Sequence, residues 1–208
     1  MLATIIAEFR DTVDDIYGAF LDARDGFSRV RARACEIEEE SKRSYKDLKA
    51  ERPEFAQHSY GGADFSYCRL VPAGGQLRYR HLHQISIETL KQRNEEGGRN
   101  FQLIGDVSLV TLFQYWDEHY RGLLAQALEV KKNQIRVPLF GELRRYHQAI
   151  IHNNGVATKE VEACKILNWF RRGERIMLSR DMFEELIDGV FEVLDIFQKE
   201  PERYTKNE

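Results

Sequence analysis

The chain has 208 residues, a formal net charge of −3 and a pI near 6.1. That length suffices for one large domain with its own hydrophobic core and no need of staples. The acidic balance excludes a chain that binds nucleic acid by bulk positive charge and leaves only local basic patches for that purpose. Cys35, Cys68 and Cys164 are widely spaced and odd in number. They match neither a disulfide framework nor a zinc pattern and fit a reducing compartment. The opening MLATIIAEFRD has no basic region ahead of its apolar run, which stops at Glu8, so it does not read as a signal peptide. No stretch approaches the roughly 20 apolar residues that span a bilayer. A soluble, cytoplasmic protein with no membrane partner is the expectation.

From Ile5 to Leu48 the residues Ile5, Phe9, Val13, Ile16, Phe20, Phe27 and Val30 recur mostly at helical spacing. Gly18 and Gly26 weaken the pattern, leaving either two helices or one with a break near DARDG. The continuation EIEEESKRSYKDLKAER is a charged, solvent-facing helical stretch, and Pro53 ends it. Residues 54–105 are harder to read. GGADFSYCRLVPAGGQLRYRHLHQ holds two glycine pairs and a proline, which mark turns. An inserted hairpin and a long irregular connection fit this region equally well, and EEGGRN reads as a second loop.

The next helix is predicted from Asp106, as N-cap, to Lys132, with Leu109, Phe113, Trp116, Tyr120 and Leu124 in its stripe. Another begins at Pro138, where a missing N–H costs nothing, and closes at HNNG through left-handed asparagine and glycine. A short helix is predicted over Thr158–Phe170, then a turn and short strand in RRGERIML. Ser179 caps a last helix with Met182, Phe183, Leu186, Val190, Leu194 and Phe197 inward. The predicted fold class is all-α: a helical bundle of about four or five main helices with minor extended segments. Residues 1–200 form its single domain, with an insertion at 54–105 and a polar tail over 201–208.

The stretch RRYHQAIIHNNG, Arg144 to Gly155, carries the chemistry. On a helical wheel Leu139, Leu143, Tyr146 and Ile150 cover one side, with Phe140 and Ile151 at its edges. His147 falls in the middle of that side and reads as a packing histidine. Arg145 and His152 are two turns apart, about 10 Å along the axis, and nearly superimposed in projection. A histidine titrates near neutrality and passes protons. An arginine stays charged and matches the acceptor array of a phosphate. In metal-free RNA cleavage a base takes the 2′-OH proton, the 2′ oxygen attacks the adjacent phosphorus and a cation stabilises the phosphoryl oxygens. Arg145 can be that cation, helped by Arg144. One histidine does not comfortably serve as both base and acid, and a solvated helix face or a dimer-interface pair remains the alternative.

Arg145, six residues and His152 together resemble the arginine–x(4–6)–histidine signature of the HEPN superfamily (higher eukaryotes and prokaryotes nucleotide-binding). LFGELRRYHQAIIHNNGVA and CKILNWFRRGERIML are similar to bacterial HEPN-like proteins, over residues 100–197. The resemblance implies a dimer whose two motifs share one cleft, which supplies the second histidine. It implies a metal-independent endoribonuclease of stress or phage defence, with RNA as substrate, an antitoxin or other protein as partner and no cofactor. His152 is then the general acid/base and Arg145 the phosphate-binding group. Asn153 orients His152 or contacts RNA. The alternative within the resemblance is a non-catalytic dimerisation, interaction or RNA-binding protein. Tyr146 stands where the family pattern often has a polar residue, and His152–Asn153–Asn154 lacks the histidine–x–tyrosine ending of one subgroup.

Other clusters are weaker. Asp117, Glu118 and His119 are consecutive and spread around their helix rather than forming a metal triad. His81 and His83 share a face if extended, with no carboxylate or cysteine nearby in sequence to complete a site. The neighbouring RYRH is a second basic patch able to meet an RNA backbone by charge and stacking. Neither glycine pair matches a phosphate-binding loop.

Overall fold

A computed structural model describes residues 1–52, 54, 57–73 and 76–205. Pro53, the Gly74–Gly75 pair and the last three residues of the predicted tail lie outside the described residues. The chain divides into two compact units, one of Met1–Arg24 with Gln102–Glu208 and one of Asp25–Phe101.

Helix α1 runs unbroken over Leu2–Glu51 and enters both units. The break near DARDG is not there. A Cβ at Gly18 or Gly26 would meet nothing within 4 Å, so each glycine costs only its backbone entropy, about 1 kcal/mol. Same-helix ion pairs such as Asp25–Arg29 at 2.6 Å and Glu38–Lys42 at 3.1 Å follow the i,i+4 rule along the polar part.

In the first unit, α1 contributes Ile5, Phe9, Val13 and Phe20 to the core. Helix α3, Arg99–Gln114, passes through a π-helical turn, Tyr115–Tyr120, into α4, Arg121–Ala127. Asp106 lies inside α3 and does not cap it. The true start, Arg99, falls inside the predicted EEGGRN loop, two residues after Gly97, which takes φ +79°. Helix α5, Pro138–His152, and helix α7, Arg180–Lys199, complete the packing around the four-residue helix α6, Lys159–Glu162. Stacked rings knit these elements together: Trp116 on Phe140 at 3.9 Å, Phe9 on Tyr120 at 4.3 Å and Phe20 on Phe183 at 4.3 Å. Ser179 caps α7, accepting from the Met182 N–H at 3.1 Å. The helix predicted over Thr158–Phe170 shrinks to α6, and RRGERIML forms a turn with a single bridge, Val156 to Arg175.

The second unit overturns the all-α expectation. Strand β1, Asp64–Ala73, pairs antiparallel with β2, Gln76–Ser86, so the molecule is mixed α and β. Residues 64–86 lack the spacing of three and four that makes a helix amphipathic. Their Phe, Tyr, Val and Ile favour a pleated backbone whose N–H and C=O groups pair across the ladder. Phe65 and Ile85, at the base of the hairpin, pack on Ala34, Ile87 and Leu90, a small core shared with α1 and with α2, Ile87–Arg93. Ser86 caps α2 by accepting from the Thr89 N–H at 3.1 Å. Among the described residues no helix is long and apolar enough to cross a membrane.

Candidate functional site around helix α5

Helix α5 starts at the predicted proline, and Val137 at its N-cap offers no side-chain cap. It ends as the HNNG signal predicts. Asn154 and Gly155 take φ +52° and +69°, and the Gly155 N–H reaches the Ala149 carbonyl at 3.1 Å. Asn153 donates from Nδ2 to the Val156 carbonyl at 2.7 Å, and Arg175 donates to the Asn154 carbonyl at 3.0 Å. Asn153 therefore helps to close this turn, whatever else its exposed position allows.

Leu143 and Tyr146 are fully buried, with Leu139 and Phe140 nearly so. Ala149 and Glu142 are buried as well, so α5 is covered on a second side. Glu142 explains that side. Its Oε1 accepts from the Lys165 N–H at 2.7 Å, and its Oε2 accepts from Ile166 and Leu167 at 2.9 and 2.8 Å. Tyr146, one turn on, donates its hydroxyl to the Leu167 carbonyl at 2.6 Å. Burial raises the Tyr146 phenol well above its usual range, opposed in part by a backbone hydrogen bond at Trp169. The two side chains grip opposite polarities of one non-helical strand of backbone.

Arg145 joins this grip. It is half-buried, and its Nη1 donates to the carbonyls of Glu160 and Ala163, both at 3.4 Å, and meets Cys164 Sγ at 3.8 Å. These carbonyls lie at the end of α6, where a cation complements the helix dipole. Cys164 is buried, which pushes its thiol up; Arg145 opposes that shift. Among the described residues, no acceptor is recorded for the Nε and Nη2 atoms of Arg145.

His152 is the last residue of α5 and is exposed, and its ring makes no hydrogen bond to any described residue. The structure thus leaves the two motif residues apart: Arg145 reaches toward α6 and His152 toward solvent. His147 is half-buried with its ring 4.9 Å from that of Phe113, the packing position its wheel placement predicts. Its pKa is lowered, first by burial and then by the charge of His152, against the pull of Glu118.

Arg144 is exposed and lines a groove of about 880 Å³ with Arg121, Arg136 and Arg203 over an apolar wall that includes Ile166 and Ile196. Arg121 is occupied there, bonded to Asp117 at 2.8 Å and to the Ile135 carbonyl at 3.0 Å. Arg145, His152 and Asn153 are not among the residues lining it. Glu142, Tyr146 and Cys164 are what the sequence reading missed. Glu142 and Tyr146 find their partners 21 to 25 residues away on irregular backbone, and Cys164 meets Arg145 from 19 residues away, so no local pattern announces them. Among the described residues no group of three or more His, Cys, Asp or Glu side chains is placed to hold a metal ion. No known family model matches the chain, and no curated protein or solved structure matches it either.

Proposed function

We propose that the chain is a HEPN-like protein that cleaves RNA without a metal ion, using His152 for proton transfer. The observation that carries the reading is the exposure of His152 at the end of a helix whose preceding motif arginine is already anchored. Arg145 keeps one edge of its guanidinium, Nε and Nη2, for a bidentate phosphate. Its bonds to α6 hold that edge in place, and preorganised cations are the effective ones. In the proposed reaction His152 takes the 2′-OH proton and the 2′ oxygen forms a bond to the adjacent phosphorus. The 5′ oxygen departs with a proton, leaving a 2′,3′-cyclic phosphate and a 5′-hydroxyl. A second copy of the chain supplies the acid through its own His152 in a two-fold dimer. Arg144 and Asn153 are proposed to contact the substrate, and the reading places the protein in stress or phage defence, with an antitoxin-like protein as its regulator.

A second reading has its own support. Arg145 bonds to the backbone of residues 160–164, which is what a non-catalytic interaction protein would use it for. Incubation with single-stranded RNA in EDTA separates the two. The wild type is expected to yield cyclic-phosphate products by mass spectrometry, and His152→Ala to reduce the rate at least a hundredfold, the scale of a lost general acid/base. No turnover by a dimeric wild type, or equal turnover by His152→Ala, refutes the catalytic role.

A further inference from the structure

The β1–β2 hairpin carries a charge arrangement for which its own fold offers no partner. Register shifts between Tyr67 and Cys68, and beyond that point Cys68 pairs with His81, Arg69 with Arg80, Leu70 with Tyr79 and Val71 with Arg78. Paired residues share a face and successive pairs alternate. Arg69, Arg78 and Arg80 therefore lie on one face of the ribbon, and Leu70 and Tyr79 on the other. Every residue of β2 except Ile85 is exposed, and Tyr79 is 72% exposed. Neither face of this part of the ribbon is covered.

Arg69 and Arg80 are directly opposed, and like charges in that position destabilise a ladder. The chain supplies no relief: residues 65–86 contain three arginines and no aspartate or glutamate. Among the described residues none of the three side chains makes a hydrogen bond or an ion pair. In a chain with net charge −3, such a local patch is complementary to an anion from outside. Arg78 and Arg80 are two residues apart, which spaces them by about 7 Å along the strand. Several negative charges in a row are needed to meet all three, as on a nucleic-acid backbone, and one phosphate does not suffice.

We propose that the Arg69–Arg78–Arg80 face of the hairpin is a binding arm for single-stranded RNA. Arginine contacts to successive phosphates supply the affinity. The choice of RNA among polyanions rests on the reading of His152 above; the need for a polyanion does not.

The test uses the full chain and a fluorescent single-stranded oligonucleotide carrying 2′-O-methyl groups, which cannot be cleaved through its 2′ oxygen. Anisotropy titrations at several salt concentrations give the affinity and its salt slope. The triple variant Arg69→Ala/Arg78→Ala/Arg80→Ala is expected to bind at least tenfold more weakly, with a log–log slope shallower by about 2, the value for three lost single-strand phosphate contacts. Arg80→Glu is the sharper variant, because it converts the opposed pair from like to unlike charge. It should slow amide exchange across residues 64–86 while weakening RNA binding, and a merely structural arginine would not move these two readouts in opposite directions. Wild type that fails to bind, binding unaffected by the triple variant, or tighter binding of duplex DNA or of an oligoglutamate peptide overturns the proposal. Cleavage by His152 is read in a separate assay, so an arm that binds uncleaved RNA survives the loss of the catalytic reading, and a nuclease indifferent to the triple variant survives the loss of the arm.

Discussion

Replacing Glu142 probes the contact that shapes the whole site. Its carboxylate accepts three backbone N–H bonds of 2.7 to 2.9 Å, and the residue is 9% exposed. A hydrogen bond to a charged group is worth about 1.5–3 kcal/mol net when buried. Lys165 and Ile166 are exposed, and water can reach their amides once the carboxylate is gone, whereas Leu167 is buried. Glu142→Leu is therefore expected to cost about 3 kcal/mol, less than three full bonds. Glu142→Gln, with its oxygen at the Oε2 position, keeps two bonds and loses one, a cost of about 1.5 kcal/mol. In thermal melts these correspond to falls of roughly 6–12 °C and 3–6 °C for a chain of this size. The exposed Glu184→Gln makes the same charge change without those bonds and serves as control. Exchange at the Lys165, Ile166 and Leu167 amides should accelerate selectively. A Glu142→Leu protein as stable as the control, with those amides still protected, refutes the assignment.

Two further perturbations separate the roles of the neighbouring side chains. Arg145→Ala should lower stability by about 1 kcal/mol through the lost bonds to the end of α6, with Arg145→Lys in between. A melting temperature unchanged in Arg145→Ala shows that the anchor is not structural. His147 has a pKa lowered mainly by burial, so the unfolded chain binds its proton more readily than the folded one. Stability therefore falls as pH drops through the unfolded value of about 6.5 and stops falling below the folded pKa. His147→Phe should flatten this part of the pH–stability curve, and His152→Ala should raise the His147 pKa seen in an NMR titration by removing the neighbouring charge. A His147 titration that His152→Ala leaves unmoved contradicts that coupling.

The elements legible in the sequence are those whose signals are local. Pro138 and Asn154–Gly155 mark the two ends of α5, and Ser179 marks the start of α7, because each acts on backbone within six residues of itself. The wheel places His147 correctly because its partner stripe lies on the same helix. The π-helical turn at Tyr115–Tyr120 has no such signal; neither proline nor glycine falls within it. The start of α3 was obscured by Asp106, a good cap by type, while buried Phe101 and Gln102 extend the helix upstream of it. Thr158–Phe170 has helical spacing, yet Glu142 takes the N–H groups of residues 165–167 that a longer helix would have used. The hairpin is one of two open readings in the sequence because its two strands carry few inward residues, and alternation is weak where neither face is buried.

On α5 the wheel treats polarity as a proxy for solvent, and that proxy separates what it superimposes. Glu142, Arg145 and Tyr146 stand at i, i+3 and i+4 and all three turn to the same backbone, residues 160–167. Arg145 is polar because carbonyls need a donor, and His152, at the same wheel angle, reaches past the end of that backbone into solvent. The anchor does not exhaust the guanidinium. Five N–H donors serve it, and the recorded bonds all leave from Nη1. A phosphate held by the Nε–Nη2 edge would find that edge oriented by α6, and loosening the backbone that follows α6 through Glu142 would disorient it without touching the phosphate. Glu142→Gln should then slow RNA cleavage while leaving His152 exposed, an effect that a purely structural Arg145 would not transmit.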